Sequence, residues 1–331
     1  MNIELNTSRC YSINKLSVVI PIFNEYENIA LLLEQLHEVL RSLPYEYEII
    51  AVDDGSEDGS AELLDKLSVK QDELVVLHFS RNFGQTAAMM AGFDNATGDV
   101  VIPIDSDLQN DPKDIPKLIE KLKEGYDVVS GWRKDRQDHA VKRNLLSRIA
   151  NKLISAVSGV QLHDYGCTLK AYKKSSMQGM KLYGEMHRFI PIYASLIGAK
   201  VTEVPVTHHK RIHGQSKYGM NRIFKVLLDL MVVRFLSKYL KKPIYFFGGI
   251  GFMFLITSFG SFGLAIYFKF FRDISLIETP LPIFTTMTFI TGVMCILMGI
   301  LAEMIMRTYF ESQNKKSYNL RYEGDADKCD D

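Results

Sequence analysis

Asp99-Val100-Val101-Ile102-Pro103-Ile104-Asp105-Ser106-Asp107 decides the fold, because it joins an apolar run to two carboxylates one residue apart. The run is typical of a strand buried inside a parallel sheet. Open α/β sheets bind ligands where such strands end. Two neighbouring carboxylates repel each other, so we expect a divalent cation that bridges them to a diphosphate. The alternative is a solvated turn in which the two acids cap backbone N–H groups.

Two further apolar runs end in similar segments. Tyr47-Glu48-Ile49-Ile50-Ala51-Val52 precedes Asp53-Asp54-Gly55-Ser56, and Leu16-Ser17-Val18-Val19-Ile20 precedes Pro21-Ile22-Phe23-Asn24-Glu25. Parallel strands align their carboxyl ends on one edge of a sheet, so the three segments predict a single crevice. An N-capping turn before a helix is the alternative for residues 53–56, and it is compatible with ligand binding.

The ordered set of motifs resembles the family-two glycosyltransferases. Their GT-A fold is a Rossmann-like α/β domain with a mostly parallel sheet. Arg81-Asn82-Phe83-Gly84-Gln85, Asp164-Tyr165-Gly166-Cys167, Lys170-Ala171-Tyr172 and Arg211-x-x-Gly214-x-Ser216-Lys217 narrow the resemblance to the polyprenyl-phosphate glycosyltransferases. That group includes dolichyl-phosphate mannose synthase and the GtrB and ArnC enzymes. The match covers about Lys15 to Met220, and the C-terminal architecture is most similar to the GtrB-like bactoprenol glucosyltransferases.

The resemblance implies a UDP-sugar donor and a divalent metal, Mg²⁺ or Mn²⁺. The metal positions are Asp105, Asp107 and Gln109. The positions that match donor-binding residues are Pro21, Phe23, Glu25, Asp53, Asp54, Asp105, Ser106 and Gln109. A metal there would neutralise the charge that grows on the β-phosphate. Asp111 is interpreted as the cap of the following helix, not as a ligand.

The acceptor is predicted to be a polyprenyl phosphate, held by the basic half of the domain. A phosphate with a second pKa of about 6 is mostly a dianion at pH 7 and already nucleophilic. The site must therefore supply cations, and arginine suits forked phosphate contacts. The candidate acceptor-phosphate residues are Arg133, Arg143, Arg148, Arg211 and Lys217. A solvated loop is the alternative for this stretch.

Asp164 is the candidate base, or the carboxylate that orients the acceptor. With Asp107 and Arg133 it completes the predicted catalytic set. Its segment is turn-like, so a structural Asx turn is the alternative. A single in-line displacement with no enzyme nucleophile would invert the anomeric carbon. Cys167 is expected to be a small buried residue, because no neighbouring feature activates a thiol there.

Composition excludes several classes of protein. The formal net charge of the 331 residues is zero, which argues against a general nucleic-acid binder. The four cysteines are widely separated, so neither disulfides nor a zinc site is predicted.

The tail contains two apolar stretches that predict membrane spans over about 245–268 and 281–304. Each exceeds the roughly 20 residues that cross a bilayer core. Basic residues flank the outer ends more than the connection, which places both termini and the catalytic domain in the cytoplasm, at the bacterial inner (plasma) membrane. The alternative is a pair of buried soluble helices.

We predict four segments along the chain. They are a GT-A domain over 1–218, interfacial amphipathic helices over 219–242, a two-helix transmembrane domain over 243–310, and a cytoplasmic tail over 311–331. A packed hairpin of soluble helices is the alternative for the second segment. Glycines in the first span permit self-association, and the resemblance implies a homotetramer.

The predicted function is inverting transfer of one hexose from a UDP-sugar to undecaprenyl or a related polyprenyl phosphate at the cytoplasmic face. The product would be a lipid-linked sugar for later glycan modification, and the resemblance favours glucose. One alternative is mannose or an aminosugar on the same acceptor. A processive polysaccharide synthase is another, although Trp132 lacks the Q-x-x-R-W setting. A catalytically silent membrane scaffold or flippase component is a third.

Overall fold

The computed structural model divides into two compact units, residues 1–231 and residues 232–331. Its described residues are 12–134, 151, 154–155, 158–177, 180, 186–210, 235, 239 and 242–312. Most of the predicted interfacial segment and nearly all of the predicted tail lie outside these residues. The four predicted segment boundaries therefore stay predictions.

The first unit is a helix-covered sheet with seven strands in its described part. The strands are β1 (Lys15–Ile22), β2 (Glu46–Asp53), β3 (Leu74–His78), β4 (Val100–Pro103), β5 (Val128–Trp132), β6 (Lys170–Lys173) and β7 (Val201–Pro205). The helices are α1 (Tyr26–Arg41), α2 (Ser60–Ser68), α3 (Gln85–Asn95), α4 (Ile115–Lys123) and α5 (Ile190–Leu196). The strand order is β3-β2-β1-β4-β6-β5-β7, and only β6 runs antiparallel to its two neighbours.

Burial explains why the central strands are apolar runs. Every residue of β1 after Lys15 is buried, as expected for a strand covered on both faces. On α1, Ile29, Leu32, Leu33 and Leu36 recur at helical spacing and join the core cluster around β1. The predicted mostly parallel α/β domain is confirmed.

The three acid-bearing segments meet at one edge, as predicted. Strands β1 and β2 are parallel and in register until Ile22 opposes Asp53. Strand β4 pairs with the other side of β1, where Val19 opposes Pro103. The segments after β1, β2 and β4 therefore leave the core side by side.

The second unit contains two long helices, α6 (Ile244–Phe271) and α7 (Leu281–Ser312). Both are long and apolar enough to cross a membrane, with mean hydropathies of 1.8 and 2.2 in their most apolar windows. Only 22% and 11% of those windows is buried, which does not fit the alternative of buried soluble helices. They pack closely where a Cβ on Gly251 would lie 2.7 Å from the carbonyl oxygen of Gly292.

Candidate active site at the carboxyl edge of the sheet

Asp53, at the end of β2, is buried and held from two sides. One carboxylate oxygen accepts the Ser56 N–H at 3.0 Å, and the other lies 3.1 Å from Nδ1 of His78. Nε2 of His78 lies 2.9 Å from Asp65. Burial lowers the pKa of His78, but the hydrogen bonds to Asp53 and Asp65 raise it by more, so the net pKa is raised. A neutral imidazole donates from one nitrogen only, so the two carboxylates favour the imidazolium.

Asp54 holds the loop that precedes α3. Its two oxygens accept the N–H groups of Phe83 at 2.7 Å and Gly84 at 2.9 Å. Burial, with a contribution from the neighbouring Asp53 carboxylate, raises the pKa of Asp54 by more than these hydrogen bonds lower it. Gly55 permits the approach, because its φ is +70° and a Cβ there would lie 2.5 Å from the Arg81 carbonyl carbon. A direct contact of Asp54 with a donor stays a prediction.

The segment after β1 lies against the segment after β2. Asn24 has a φ of 53°, and its N–H donates to Oγ of Ser56 at 2.9 Å. Three predicted donor residues of this segment are Pro21, which is buried, and Phe23 and Glu25, which are half-buried. Together with Asp53 they form one corner at the carboxyl edge of the sheet, where β1 and β2 end.

The acid pair after β4 is only partly open to a ligand. Asp105 accepts hydrogen bonds from Nε2 of Gln85 at 2.8 Å and from Oγ1 of Thr168 at 2.7 Å, one on each oxygen. Asp107 is 8% exposed, and its Oδ1 accepts the Gln109 N–H at 3.2 Å. The left-handed backbone of Leu108, with a φ of 58°, turns this segment. The intervening Ser106 is buried.

The donor set fits a phosphate-bound divalent ion better than a closed metal site. Among the described residues, no three His, Cys, Asp or Glu side chains form a group that could hold a metal. Mg²⁺ commonly uses one or two carboxylates together with substrate phosphates. Asp105 and Asp107 supply two carboxylates, the hard oxygen donors that such an ion uses, so the residue types fit it.

Asp111 caps a 3-10 turn, Pro112–Asp114, as predicted for the helical segment after it. Its side chain accepts the Lys113 N–H at 3.0 Å and lies 3.0 Å from Nε2 of His209. Burial raises the pKa of Asp111, but the hydrogen bonds from His209 and Lys113 lower it by more. The Gln109 carbonyl accepts the His209 N–H at 2.8 Å, which fixes the loop after Asp107.

Arg133 and Asp164, predicted separately, form one ion pair. Nε of Arg133 donates to Oδ2 of Asp164 at 2.7 Å, and Nη2 donates to Oδ1 at 3.1 Å. Burial lowers the pKa of Arg133, but Asp164 with Cys167 and Asp105 raises it by more, so the guanidinium stays charged. Forked pairs of this kind are the strong ones. Asp164 therefore faces a cation that also lies at the predicted acceptor site.

The turn after Asp164 joins the two parts of the crevice. Asp164 Oδ1 accepts the Gly166 N–H at 3.0 Å, so the predicted alternative, an Asx turn, is present beside the ion pair. Thr168 ends the turn with its bond to Asp105. Burial raises the pKa of Cys167 to about 11, so its thiol is neutral at pH 7. Its expected role as a buried residue is confirmed.

Four predicted acceptor residues, Arg143, Arg148, Arg211 and Lys217, lie outside the described residues. Sequence reasoning missed His78 altogether and assigned no role to Gln85, Thr168 or Lys170. Gln85 and Lys170 belong to motifs that carried the family resemblance, and that was the available signal. The contacts of Gln85 and Thr168 join segments far apart in the chain, since both bind Asp105, at separations of 20 and 63 residues.

Comparisons with known proteins agree with this geometry. Residues 17–180 match the model of glycosyl transferase family 2. The chain is 40% identical to a dodecaprenyl-phosphate galacturonate synthase of Rhizobium johnstonii over 93% of this chain and 92% of that protein. It is 35% identical to an undecaprenyl-phosphate 4-deoxy-4-formamido-L-arabinose transferase of Proteus mirabilis over 93% and 94%.

Solved structures share the fold at low identity. The mannosyl-3-phosphoglycerate synthase of Rubrobacter xylanophilus superposes with a TM-score of 0.52 at 16% identity, covering 67% of this chain and 74% of that one. A Mycobacterium tuberculosis glucosyl-3-phosphoglycerate synthase, solved with Mn²⁺, UDP and phosphoglyceric acid, gives 0.50 at 16% identity over 68% and 78%.

The sheet, its acid-bearing edge and these likenesses define a glycosyltransferase with the GT-A fold. The chain belongs to glycosyl transferase family 2. The resemblance to its polyprenyl-phosphate glycosyltransferases, which the motifs indicated, is confirmed.

Proposed function

We propose that the protein transfers one sugar from a UDP-sugar to a polyprenyl phosphate at the cytoplasmic face of the bacterial inner membrane. The transfer inverts the anomeric carbon, because the acceptor phosphate displaces UDP in a single step. The product is a polyprenyl-phosphate sugar.

One observation carries this proposal. The short turn 164–168 contacts the donor acid Asp105 through Thr168, and it contacts Arg133 through Asp164. A nucleotide diphosphate at the acid pair and an anion at the guanidinium would therefore be neighbours. Bringing two reactants together in this way removes much of the entropic barrier to their reaction.

On the donor side, the chain's own residues position the nucleotide. The corner formed by Pro21, Phe23, Glu25 and Asp53 is suited to the nucleoside. Asp107, with Asp105 and the side chain of Gln109, would hold Mg²⁺ or Mn²⁺ on the diphosphate, and the bound ion would stabilise the leaving charge. The Asp107 loop stays in place through the backbone contact between Gln109 and His209.

On the acceptor side, Arg133 supplies charge and Asp164 supplies orientation. The fork of Arg133 binds one carboxylate in the free protein, and a phosphate oxygen has the geometry to share or replace that contact. Asp164 would then fix the guanidinium plane. A dianionic phosphate needs no strong base, so Asp164 acts here by orientation.

Glucose is the sugar that the resemblance favours. A uronic acid is the second candidate, because the relative named for galacturonate matches over 93% of this chain. A uronate donor carries an extra carboxylate, so it would need a cation near the sugar.

The membrane arrangement belongs to the proposal as well. Helices α6 and α7 cross the bilayer, with both termini and the catalytic unit in the cytoplasm. Gly249, Gly260 and Gly263 of α6 have open space where a Cβ would lie. This leaves room for close approach of another helix and supports assembly, with four copies as the resemblance implies.

The test is a donor panel with purified full-length protein in detergent. UDP-glucose, UDP-galacturonate, UDP-galactose and GDP-mannose, each radiolabelled, are incubated with undecaprenyl phosphate and Mn²⁺ or Mg²⁺. We expect metal-dependent label in the chloroform phase as a mild-acid-labile lipid, with a UDP-sugar and not with GDP-mannose. Label in an insoluble polymer, or no transfer from any donor, would overturn the proposal.

A further inference from the structure

We propose that Lys170 is a positioning residue that fixes the donor side and the acceptor side of the site together, by holding the turn 164–168. The proposal rests on the proposed function, because it assigns the two ends of that turn to the donor and the acceptor. Lys170 itself is not placed in contact with either substrate.

Lys170 begins β6 and lies beneath the turn. Its Nζ donates to the carbonyl oxygens of Tyr165, at 3.3 Å, and of Cys167. These two carbonyls lie between Asp164, which holds Arg133, and Thr168, which holds Asp105. One amine group therefore fixes the segment whose two ends reach the two halves of the crevice.

Burial makes this contact unusual for a lysine. Lys170 is 3% exposed, and lysines are almost never fully buried without a paired charge. Among the described residues, the hydrogen bonds of its Nζ go to carbonyl oxygens. Burial lowers its pKa to about 8, so the group is still mostly an ammonium at pH 7.

Two of the charged groups around Lys170, Arg133 and Asp164, belong to the same site. Burial, Arg133 and Arg188 lower the pKa of Lys170, whereas Asp164 raises it. An ammonium here offsets the negative charge of Asp164 and aligns the carbonyl dipoles of the turn. Its removal would leave two buried carbonyls without that donor, and the turn would relax away from Asp105 and Arg133 together.

Lys173 offers a matched control on the same strand. It is also buried, at 7% exposure, and its Nζ donates to Asp127 at 3.1 Å. It ends β6 and therefore lies at the opposite edge of the sheet from the crevice. Substitution of either lysine removes a buried ammonium group from β6, but of the two only Lys170 contacts the turn.

The experiment compares K170M, K170R and K173M in the full-length protein. Three quantities are measured: the Kd of UDP with Mn²⁺, without acceptor; the KM for undecaprenyl phosphate; and the melting temperature. For K170M we expect both the Kd and the KM to rise by about tenfold, the size of one lost hydrogen bond to a charged group. K170R should recover most of both, and K173M should change only the melting temperature.

The result that overturns the proposal is a K170M protein whose melting temperature falls while the Kd and the KM both stay at wild-type values. A change in only one of the two constants overturns it too, because the turn would then not couple the two sides. If K170M does not fold, the same comparison is made with K170Q, which keeps an amide donor. Failure of the proposed function is distinguishable, since wild-type protein would then transfer no sugar; the Kd of undecaprenyl phosphate then replaces its KM, and the same two-sided comparison decides on Lys170.

Discussion

The donor side and the acceptor side of this crevice are built in different ways. On the donor side, backbone N–H groups of nearby loops hold three of the four acids: Ser56 binds Asp53, Phe83 and Gly84 bind Asp54, and Gln109 binds Asp107, whereas side chains hold Asp105. On the acceptor side, side chains bind side chains across long separations, as with Arg133 and Asp164, which are 31 residues apart. The described donor side carries the four carboxylates of Asp53, Asp54, Asp105 and Asp107 near the imidazolium of His78, whereas on the acceptor side Arg133 is paired one to one with Asp164.

This difference predicts that the two sides respond to different perturbations. Binding on the donor side should depend on metal, since Asp105 and Asp107 are two carboxylates one residue apart in one loop, a pair that suits a divalent ion bound to a diphosphate. The acceptor side should depend on the integrity of an ion pair, because removal of one partner leaves a buried charge.

The largest effect is expected from Asp107→Asn, which removes one anionic oxygen from the donor side. Turnover should fall about 10³-fold, because a metal-stabilised leaving group contributes several kcal/mol. Asp111→Asn is the matched control, since Asp111 is a nearby acid that caps a 3-10 turn. Its turnover should stay within about threefold of wild type. Labelled-lipid formation at saturating donor is the measurement, and equal losses in the two variants would contradict the assignment.

The next effect concerns the acceptor side and is tested with Arg133→Gln, Asp164→Asn and the double variant. Each single change leaves a buried charge, so each should destabilise the fold by about 3 kcal/mol. The double change should cost less than the sum. The KM for undecaprenyl phosphate should rise at least about tenfold wherever Arg133 is lost.

Chemical denaturation in detergent measures the free energy of unfolding of each variant. Acceptor titrations measure the KM for undecaprenyl phosphate. Strict additivity of the two single changes would show that the pair is not coupled. An unchanged KM in Arg133→Gln would contradict the assignment of Arg133 to the acceptor site.

Thr168→Val probes the link between the two sides and should have a smaller effect. It removes the hydroxyl that binds Asp105, and the Kd of UDP with Mn²⁺ should rise about tenfold. Thr97→Val is the matched control, because the Thr97 hydroxyl binds Glu48 at 2.8 Å near the start of β4, away from the crevice. Calorimetric titration of UDP compares them. Equal UDP affinity in the two variants would contradict a role of the Thr168–Asp105 hydrogen bond in donor binding.

The smallest effect is a pH dependence on the donor side. The pKa of His78 is raised in the folded protein, so its bonds to Asp53 and Asp65 stabilise the fold fully below the unfolded value of about 6.5. That stability is lost as pH rises through the folded pKa. Melting temperatures of wild type and His78→Gln should differ most near pH 6 and converge near pH 9. A difference in melting temperature that grows with pH would contradict a protonated His78 in the folded protein.

The donor side was predictable from the sequence because its acids lie in contiguous motifs after apolar runs. Alternation of buried strands and acid-bearing turns was enough to place Asp53, Asp105 and Asp107 at one edge. The apolar lengths were enough to find α6 and α7, although the structure extends α6 by four residues and α7 by eight beyond the predicted spans.

For the acceptor side, the sequence predicted which residues take part but not which of them bind each other. No local pattern states that Arg133 binds Asp164, or that Thr168 binds Asp105. Such pairs depend on how β5 and β6 adjoin, and β6 enters the sheet out of chain order. Lys170 was hidden for a different reason: its contacts with Tyr165 and Cys167 are local, but a lysine in a sequence gives no sign of burial.

The most direct test of the account titrates UDP into wild-type, Asp107→Asn and Arg133→Gln proteins, with Mn²⁺ and with a chelator, in the absence of acceptor. The account predicts that wild type and Arg133→Gln bind UDP equally, within about twofold, and that both lose most of the affinity in chelator. Asp107→Asn should bind weakly under either condition. Wild-type affinity in Asp107→Asn, unchanged by the chelator, would contradict a metal-assisted donor site at this edge of the sheet.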